Sequence, residues 1–464
     1  MNVMTVMNVM NDIAELQNII DSINPPPLLS DTDYDEFVDL AGDMLCQMVT
    51  SDPMIFAHPT FSDVLYHDTV ELLTCQLQPL FDFEIDEYIE SATDEAIAMF
   101  HTFICPRRSY PTTFIRRKPN IEKTSSTIEY LRNVPQPDQR TEEWYLFRHK
   151  YLTASNLWKA FGTQRAQNEL IYDKCQPINL EKYKSVNIES PMHWGQKYED
   201  VSIEWYQKKY NTRVSDFGCI PHRNIEYLAA SPDGINTEET SDIFGRMLEV
   251  KNIVNREING IPKLEYWIQM QLQMEVCELN ECDFLETRFI EYEDEESFNA
   301  DGSFNATEDG KPKGIILFFN KDGGPLYEYL PFGSTEQEYF EWEEKTMEKH
   351  EGLTWVKKIF WKLDEVSCVL VLRNKTWFDS ALLVLDKLWE TITHERVNGF
   401  EHRAPTRKNK IQPITEIKPI SECLIDVKNL ISNEVNEAIV EDTLETGNDN
   451  DISQLSPTII NIKT

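Results

Sequence analysis

The sequence predicts an α/β protein with a mixed central sheet, preceded by an acidic helical region. Three observations carry this reading. Within residues 193–292, patterns follow in the order helix (193–210), three strand-like runs (213–220, 226–230 and 246–253), helix (263–277) and strand (283–292). In the first helix Trp194, Tyr198, Val201 and Trp205 share one face at helical spacing, a core stripe. In the third run apolar Val250 separates Glu249 from Lys251, as a strand buried on one face requires.

The 464-residue chain is long enough for two or three domains. No apolar run approaches the ~18 residues of a membrane span, so no membrane partner is expected. No basic segment precedes an apolar one at the N-terminus, so no secretory signal is read there. Nine dispersed cysteines without a CxxC or paired zinc spacing suit a reducing compartment, cytoplasm or nucleus. Cys277 and Cys282 beside acids could mimic a metal site, although free core thiols fit better. The net charge of −36 excludes a surface coated for nucleic-acid binding. That charge is uneven: residues 1–106 hold no Lys or Arg, whereas in 140–215 twelve Lys and Arg outnumber nine Asp and Glu. An anionic substrate therefore remains compatible with the central region.

Taken in order, residues 1–106 form the acidic helical accessory region. It opens with a Met-Asn-Val-Met repeat and breaks at Pro25-Pro26-Pro27, and helical apolar spacing recurs at 37–48 and 64–77. A solvated bundle, a partner-binding surface or a DNA mimic all fit this composition. Residues 107–135 read as a basic, proline-punctuated linker containing Arg107-Arg108 and Arg116-Arg117-Lys118. The main domain spans 136–403. There Thr141 opens an acidic first turn, and Ser155 is expected as the N-cap of a short helix ending near Gly162. Strands at 314–319 and 326–330 precede helices at 336–360 and 377–392. Residues 404–464 are polar and expected to be a disordered tail with one short interaction helix.

The chemistry concentrates in 227–273. Glu249 and Lys251 are two apart, so on a strand both point to one face. Asp233, closing the preceding run in Ser231-Pro232-Asp233-Gly234, reaches that face if the two runs pair. Two hard oxygen ligands and an amine suit Mg²⁺ with a water beside it. Against this, Ser-Pro-Asp-Gly is also a generic turn and Glu-x-Lys a common exposed charge pair. Gly195 to Glu199 adds a carboxylate on the first helix. Gln269, in Tyr266-Trp267-Ile268-Gln269-Met270-Gln271, is either a satisfied core amide or an orienter of a site group. Upstream, Arg148 with Thr153-Ala154-Ser155 offers a guanidinium and hydroxyls at a helix start, a combination suited to a phosphate.

These five pieces in this order resemble the lambda-exonuclease-like (YqaJ-type) viral recombinase branch of the PD-(D/E)XK nucleases, over about residues 140–292. The acidic region and polar tail resemble additions found in homologues from large DNA viruses. An acid that the family pattern places shortly before Ser-Pro-Asp-Gly has no counterpart in His222-Arg223-Asn224, and no ligand is assigned there. The resemblance implies a restriction-endonuclease-like core. Asp233, Glu249 and the Val250 carbonyl would hold a metal and Glu199 a second, two Mg²⁺ ions with Mn²⁺ as a substitute. Lys251, held near the ions and its pKa pulled down by their like charge and by burial, would orient or deprotonate the attacking water, with Gln269 steadying it. Arg148, Thr153 and Ser155 would hold a 5′-terminal phosphate. The implied activity is 5′-to-3′ exonucleolytic hydrolysis of double-stranded DNA ends in viral recombination or genome processing. Implied partners are a single-strand annealing protein and further copies of the chain, in the host cytoplasm or nucleus or packaged in the virion. An endonuclease, a flap, junction or RNA nuclease, and an inactive scaffold binding replication or transcription partners are the competing readings.

Overall fold

A computed structural model describes residues 16, 29–112, 120–180, 187–321 and 323–405. Residues 1–405 cluster as one compact unit and 406–464 as another. The N-terminal repeat, the proline break, Arg116-Arg117-Lys118 and most of the expected tail lie outside the described residues. Among the described residues no helix is long and apolar enough to cross a membrane.

The described part of the acidic region contains three α-helices, α1 (Asp31–Ser51), α2 (Phe61–Leu77) and α3 (Asp86–Phe103). Ser30 caps the first, its hydroxyl accepting from the Asp33 amide. Leu45, Leu65 and Ile89 are fully buried between the helices while the acids face water. The same buried cluster continues through Trp267, Phe284 and Trp377, so this region and the sheet share one core.

The stretch expected as a linker contains β1 (Tyr110–Pro111) and α4 (Ile121–Asn133). Arg108 is buried there, donating to the carbonyls of Ala57 at 2.8 Å and of Pro262. One guanidinium thus ties the helical region to the loop that starts the Gln269 helix. Burying a charged group is costly unless its donors are met; both terminal nitrogens of Arg108 find carbonyls while Nε finds none, and those two bonds anchor what composition alone reads as a tether.

Next come α5 (Glu142–Lys150), capped by Thr141, then β2 (Leu152–Thr153), a 3-10 turn (Ala154–Phe161), α6 (Gln164–Cys175) and α7 (Pro191–Tyr210). Ser155 is not an N-cap. Thr153 holds that position without a side-chain bond, and the segment winds as 3-10 rather than α. Strands β3 (Val214–Ser215), β4 (Ile220–Pro221), β5 (Leu228–Ala230), β6 (Gly234–Asn236) and β7 (Met247–Asn252) lead into α8 (Leu264–Cys277) and β8 (Glu281–Glu291). The run 213–220 divides between two sheets. At Gly218 the backbone passes so close to Pro137 that an added Cβ would sit 2.6 Å from its carbonyl oxygen, and the chain turns away.

The remaining elements are α9 (Glu295–Ala300), β9 (Lys313–Lys321), β10 (Gly324–Tyr329), α10 (Glu336–Lys349), β11 (Thr354–Leu372) and α11 (Lys375–Asn398). The helix expected over 336–360 stops at Lys349, and β11 begins five residues later. Trp355, Val356, Ile359, Phe360 and Trp361 have the β-branched and aromatic character of a strand. Strand β11 pairs with β9 in its first half and with β8 beyond.

The large sheet runs β10-β9-β11-β8-β7-β6-β3, with β1 beside β11. The β7–β8 pair is parallel and the other pairs are antiparallel, so the sheet is mixed as expected. A small sheet, β2-β5-β4, stands apart. Cys277 and Cys282 are free, fully buried core thiols.

Replacing Arg108 by Met leaves two buried carbonyls without their donor. Arg108→Met is expected to destabilise the protein by about 2–6 kcal/mol, at ~1–3 kcal/mol per orphaned group. The checks are the denaturation midpoint and early loss of hydrogen-exchange protection in α1 to α3; an unchanged midpoint contradicts the anchoring role.

Candidate active site

Strand β7 is the platform of the site. Its Leu248 and Val250 pack with Tyr206 of α7 and with Leu285, while Glu249 and Lys251 take the face covered by α8. This is the alternation expected from a two-residue period. Strand β6 pairs antiparallel with β7, Gly234 opposite Leu248. Asp233 therefore sits beside Val250, and its Oδ2 accepts the Val250 amide at 2.8 Å. Glycine is required at 234 because a Cβ there would lie 2.1 Å from Val214 Cγ1.

Glu249 is fully buried with both oxygens satisfied. Oε1 accepts from the Lys251 ammonium and from Gln269 Nε2 at 2.7 Å, and Oε2 from Gln273 Nε2 at 2.7 Å. Gln269 and Gln273 are one turn apart on α8, so both amides face the strand. Gln273 also donates to the Ser231 carbonyl at 3.1 Å, joining helix, strand and the Ser-Pro-Asp-Gly turn. Lys251 lies over the Tyr266 ring, 5.2 Å from its centroid.

Around Lys251 the chain's own groups set the electrostatics. Burial opposes its ammonium, but Glu249 and then Asp233 outweigh burial and raise the amine above its ordinary value. Asp233 is raised well above the usual carboxyl range, first by burial and then by the Glu249 charge, with Lys251 opposing. Glu199, on α7, is raised by burial against the pull of Arg140, whose Nη2 donates to Glu199 Oε2 at 3.0 Å.

A cleft of about 760 Å³ is lined by Ser155, Glu199, Asp233, Val250, Lys251 and Gln269, joined by Asn252, Arg256 and Tyr266. Glu249 lies beneath its floor. Arg148 stands behind Ser155, its Nη2 donating to Ser155 Oγ at 2.8 Å and its guanidinium resting 4.3 Å from the Trp144 ring centre. Thr153 is buried in β2, paired with Ala229, and does not line the cleft. A smaller hollow of about 460 Å³ shares Glu199 and Asp233 and adds Arg140, Asp200 and Asp216.

The structure thus gathers Glu199, Asp233, Glu249, Val250, Lys251, Gln269 and Ser155 around one cleft, with Arg148 at its edge and Thr153 set back. Gln273, Arg140 and Asn252 escaped the sequence reading. The spacing of Gln273 from Gln269 was a usable signal; Arg140 and Asn252 offered none. Asn252 joins α7 to β7. Its Nδ2 donates to the Gly195 carbonyl at 2.7 Å, and its Oδ1 accepts from Ser202 at 2.7 Å and Thr287 at 2.6 Å.

The donor set suits a hard divalent cation: three carboxylates beside one amine, with Asp233 raised by burial and then by the Glu249 charge that a cation would offset. Among the described residues, no three His, Cys, Asp or Glu side chains already close to ligand distance. Glu249 spends its oxygens on Lys251, Gln269 and Gln273, and Glu199 leans on Arg140.

Residues 143–280 match the model of the YqaJ-like viral recombinase domain. A protein of Acanthamoeba polyphaga mimivirus is 26% identical over 347 residues, covering 66% of this chain. The chain spans 62% of that relative's length. Among solved structures, the alkaline exonuclease LHK-Exo of Laribacter hongkongensis aligns over 95% of its chain and 56% of this one, at 18% identity and a TM-score of 0.33. Its complex with dAMP aligns over the same shares with a TM-score of 0.32. All the acids, amides and amines gathered at the cleft, save Arg140, fall inside residues 143–280, the stretch that matches the YqaJ-like viral recombinase domain.

Proposed function

We propose that the chain is a Mg²⁺-dependent nuclease that hydrolyses phosphodiester bonds, working from the 5′ ends of double-stranded DNA during viral recombination or genome processing. The observation that carries this reading is the convergence of Asp233, Glu249 and Lys251 on adjacent strands at one cleft, with the Arg148–Ser155 pair at its margin.

Asp233, Glu249 and the Val250 carbonyl would hold one divalent cation and Glu199 would contribute to a second, with Mn²⁺ able to replace Mg²⁺. When bound, the ions supply Lewis-acid polarisation of the phosphoryl oxygens and lower the pKa of water. The chain's own groups do the rest. Lys251 presents an ammonium at the cleft wall, suited to orient a water or a phosphoryl oxygen, and Gln269 fixes the carboxylate on which it rests. Arg148, pre-oriented by Trp144 and Ser155, offers planar donors to a terminal phosphate. Neither the Arg148 site nor its place beside the acids is needed by a nuclease that cuts internally, which favours action from an end. Joint presence of every charged group of the metal set at one cleft speaks against an inactive scaffold.

Linear duplex DNA incubated with Mg²⁺ should lose mononucleotides from its 5′ strands from the first time points. Release of internal fragments first would replace this with the endonuclease reading, and cleavage confined to RNA would replace the substrate. Asp233→Asn and Lys251→Ala should each slow cleavage by at least about 10²-fold, the scale of a lost acid–base or positioning group, with the fold retained by circular dichroism. Full activity in either variant removes the central assignment. Arg148→Ala should abolish the preference for a 5′-phosphorylated over a 5′-hydroxyl end; equal rates on both ends in the parent protein sink the end-binding role.

A further inference from the structure

Lys174, on α6, is a buried lysine that none of the chemistry above uses. It is 8% exposed, and its ammonium donates to the carbonyls of Arg148 at 2.9 Å and Tyr151 at 2.5 Å. These carbonyls belong to the end of α5 and to the residue after it, the stretch that joins Arg148 to Ser155. A cation at a helix C-terminus meets the negative end of the helix dipole, and here Lys174 supplements the Tyr151 amide that the Arg148 carbonyl accepts at 3.3 Å. From the other side, the Arg396 guanidinium of α11 donates to the Lys174 backbone carbonyl at 3.1 and 2.8 Å. Lys174 is therefore held between two elements and aimed at the back of Arg148.

Its surroundings are cation-rich. Arg148 and Arg396 both repel its charge, and Asp173 on its own helix is the carboxylate that counters them. Glu395 on α11 is committed to Arg403. Cys175 and Cys219 are pushed up by burial and remain neutral thiols near neutral pH, and His149 is lowered by burial and by Lys174, so it adds no charge at pH 7 or above. Among the described residues no carboxylate accepts a hydrogen bond from Lys174. Burial of an ammonium without an ion partner is unfavourable for folding alone. It becomes useful if an anion of high charge arrives at Arg148.

We propose that Lys174 is a positioning residue of the end site, supplying a further positive charge behind Arg148 for a terminal phosphate monoester and fixing the turn that carries Ser155. This rests on the end-binding reading of Arg148 and Ser155 and deepens it. The phosphate meant is the monoester at a 5′ end, a dianion near neutral pH, rather than the monoanionic diester of the strand.

Charge and structure are separable at this residue. Burial, followed by Arg148 and Arg396, lowers the Lys174 amine to about 8. Above that pH the neutral amine keeps two N–H donors, enough for both carbonyls, so the turn stays capped while the charge is lost. Arginine keeps its charge across the same range. A merely structural lysine would leave end preference independent of pH.

The test measures initial rates on duplexes with 5′-phosphoryl and 5′-hydroxyl ends from pH 7 to 9.5, for the parent protein, Lys174→Arg and Lys174→Met. The ratio of the two rates cancels every pH effect shared by both substrates. In the parent the ratio should fall several-fold through pH 8, in Lys174→Arg it should stay high, and in Lys174→Met it should be low throughout. A parent ratio that is high but flat with pH, or a Lys174→Arg profile that follows the parent, overturns the role of Lys174 and leaves the end site standing. A parent ratio of one at every pH overturns the end site and this inference with it. Should Lys174→Met fail to fold, the comparison of the parent with Lys174→Arg decides the matter.

Discussion

The buried carboxylate of Glu249 is the constraint on which the rest of the molecule depends. Taking a carboxylate out of water costs several kcal/mol even after relaxation unless its lone pairs are met. Here three donors meet them, Lys251 from the same strand and Gln269 and Gln273 from α8. Each donor fixes a degree of freedom. The Lys251 bond sets the face of β7, and the two amides set the rotation of α8 over that face. Gln273, reaching on to the Ser231 carbonyl, sets where the turn before Asp233 lies. A half-satisfied network of this kind would be worse than an apolar contact, so strand, helix and turn reinforce one another's positions.

Asp233 and Glu199 reach the cleft by different means. Asp233 arrives through backbone pairing, because β6 and β7 are hydrogen-bonded neighbours and the Val250 amide is left to its carboxylate. Glu199 arrives through packing on the opposite face of the sheet. Tyr198 stacks on Phe289 with ring centres 4.3 Å apart, and Asn252 ties the Gly195 carbonyl to the end of β7. The acid next to Tyr198 is thereby carried to the sheet edge, where Arg140 takes its charge. Arg140 itself has a left-handed backbone, φ 66°, which an L residue adopts at a cost and which the Thr141 cap of α5 immediately follows.

How much of this was legible follows from which forces were local. Strand β7 and helix α8 were readable because periods of two and 3.6 leave visible marks in Leu248 to Lys251 and Tyr266 to Gln273. The proximity of Asp233 to Glu249 was readable as a conditional, awaiting only the pairing of two runs. Strand β11 was not, because Glu336 to Lys349 is a strong helical pattern and the charged residues Lys357 and Lys358 blur the strand that follows. Its long pairings with β8 and β9, which decide the matter, are tertiary. What the chain's own groups do to Lys251 was hidden for a related reason. Burial and like charge both lower an amine, but no sequence pattern says that Glu249 and Asp233 would stand closer to it than any cation. Ser155 illustrates the same limit: as a residue type it suits a cap, and only the arrival of Arg148 shows where its hydroxyl goes.

A net charge of −36 opposes the approach of an anion in bulk, but its distribution leaves the cleft open to one. Charges separated by more than a Debye length, about 8 Å at physiological ionic strength, are largely screened from one another in solvent. The acids of α1 to α3 face water on a region that holds no Lys or Arg before Arg107. The cations that matter for a phosphate are, by contrast, half-buried or buried. Arg148 lies against Trp144, Arg256 and Lys251 against Tyr266, and Lys174 inside the α6–α11 contact. Groups set against low-dielectric walls are screened least, so a few of them govern the local field while many exposed acids set the global one. An anion approaching such a protein is repelled weakly at a distance and attracted strongly at contact. For the end-directed nuclease proposed above, that combination would disfavour loose, non-specific adhesion along a strand and favour a strand end that can enter the cleft far enough to touch the guanidinium.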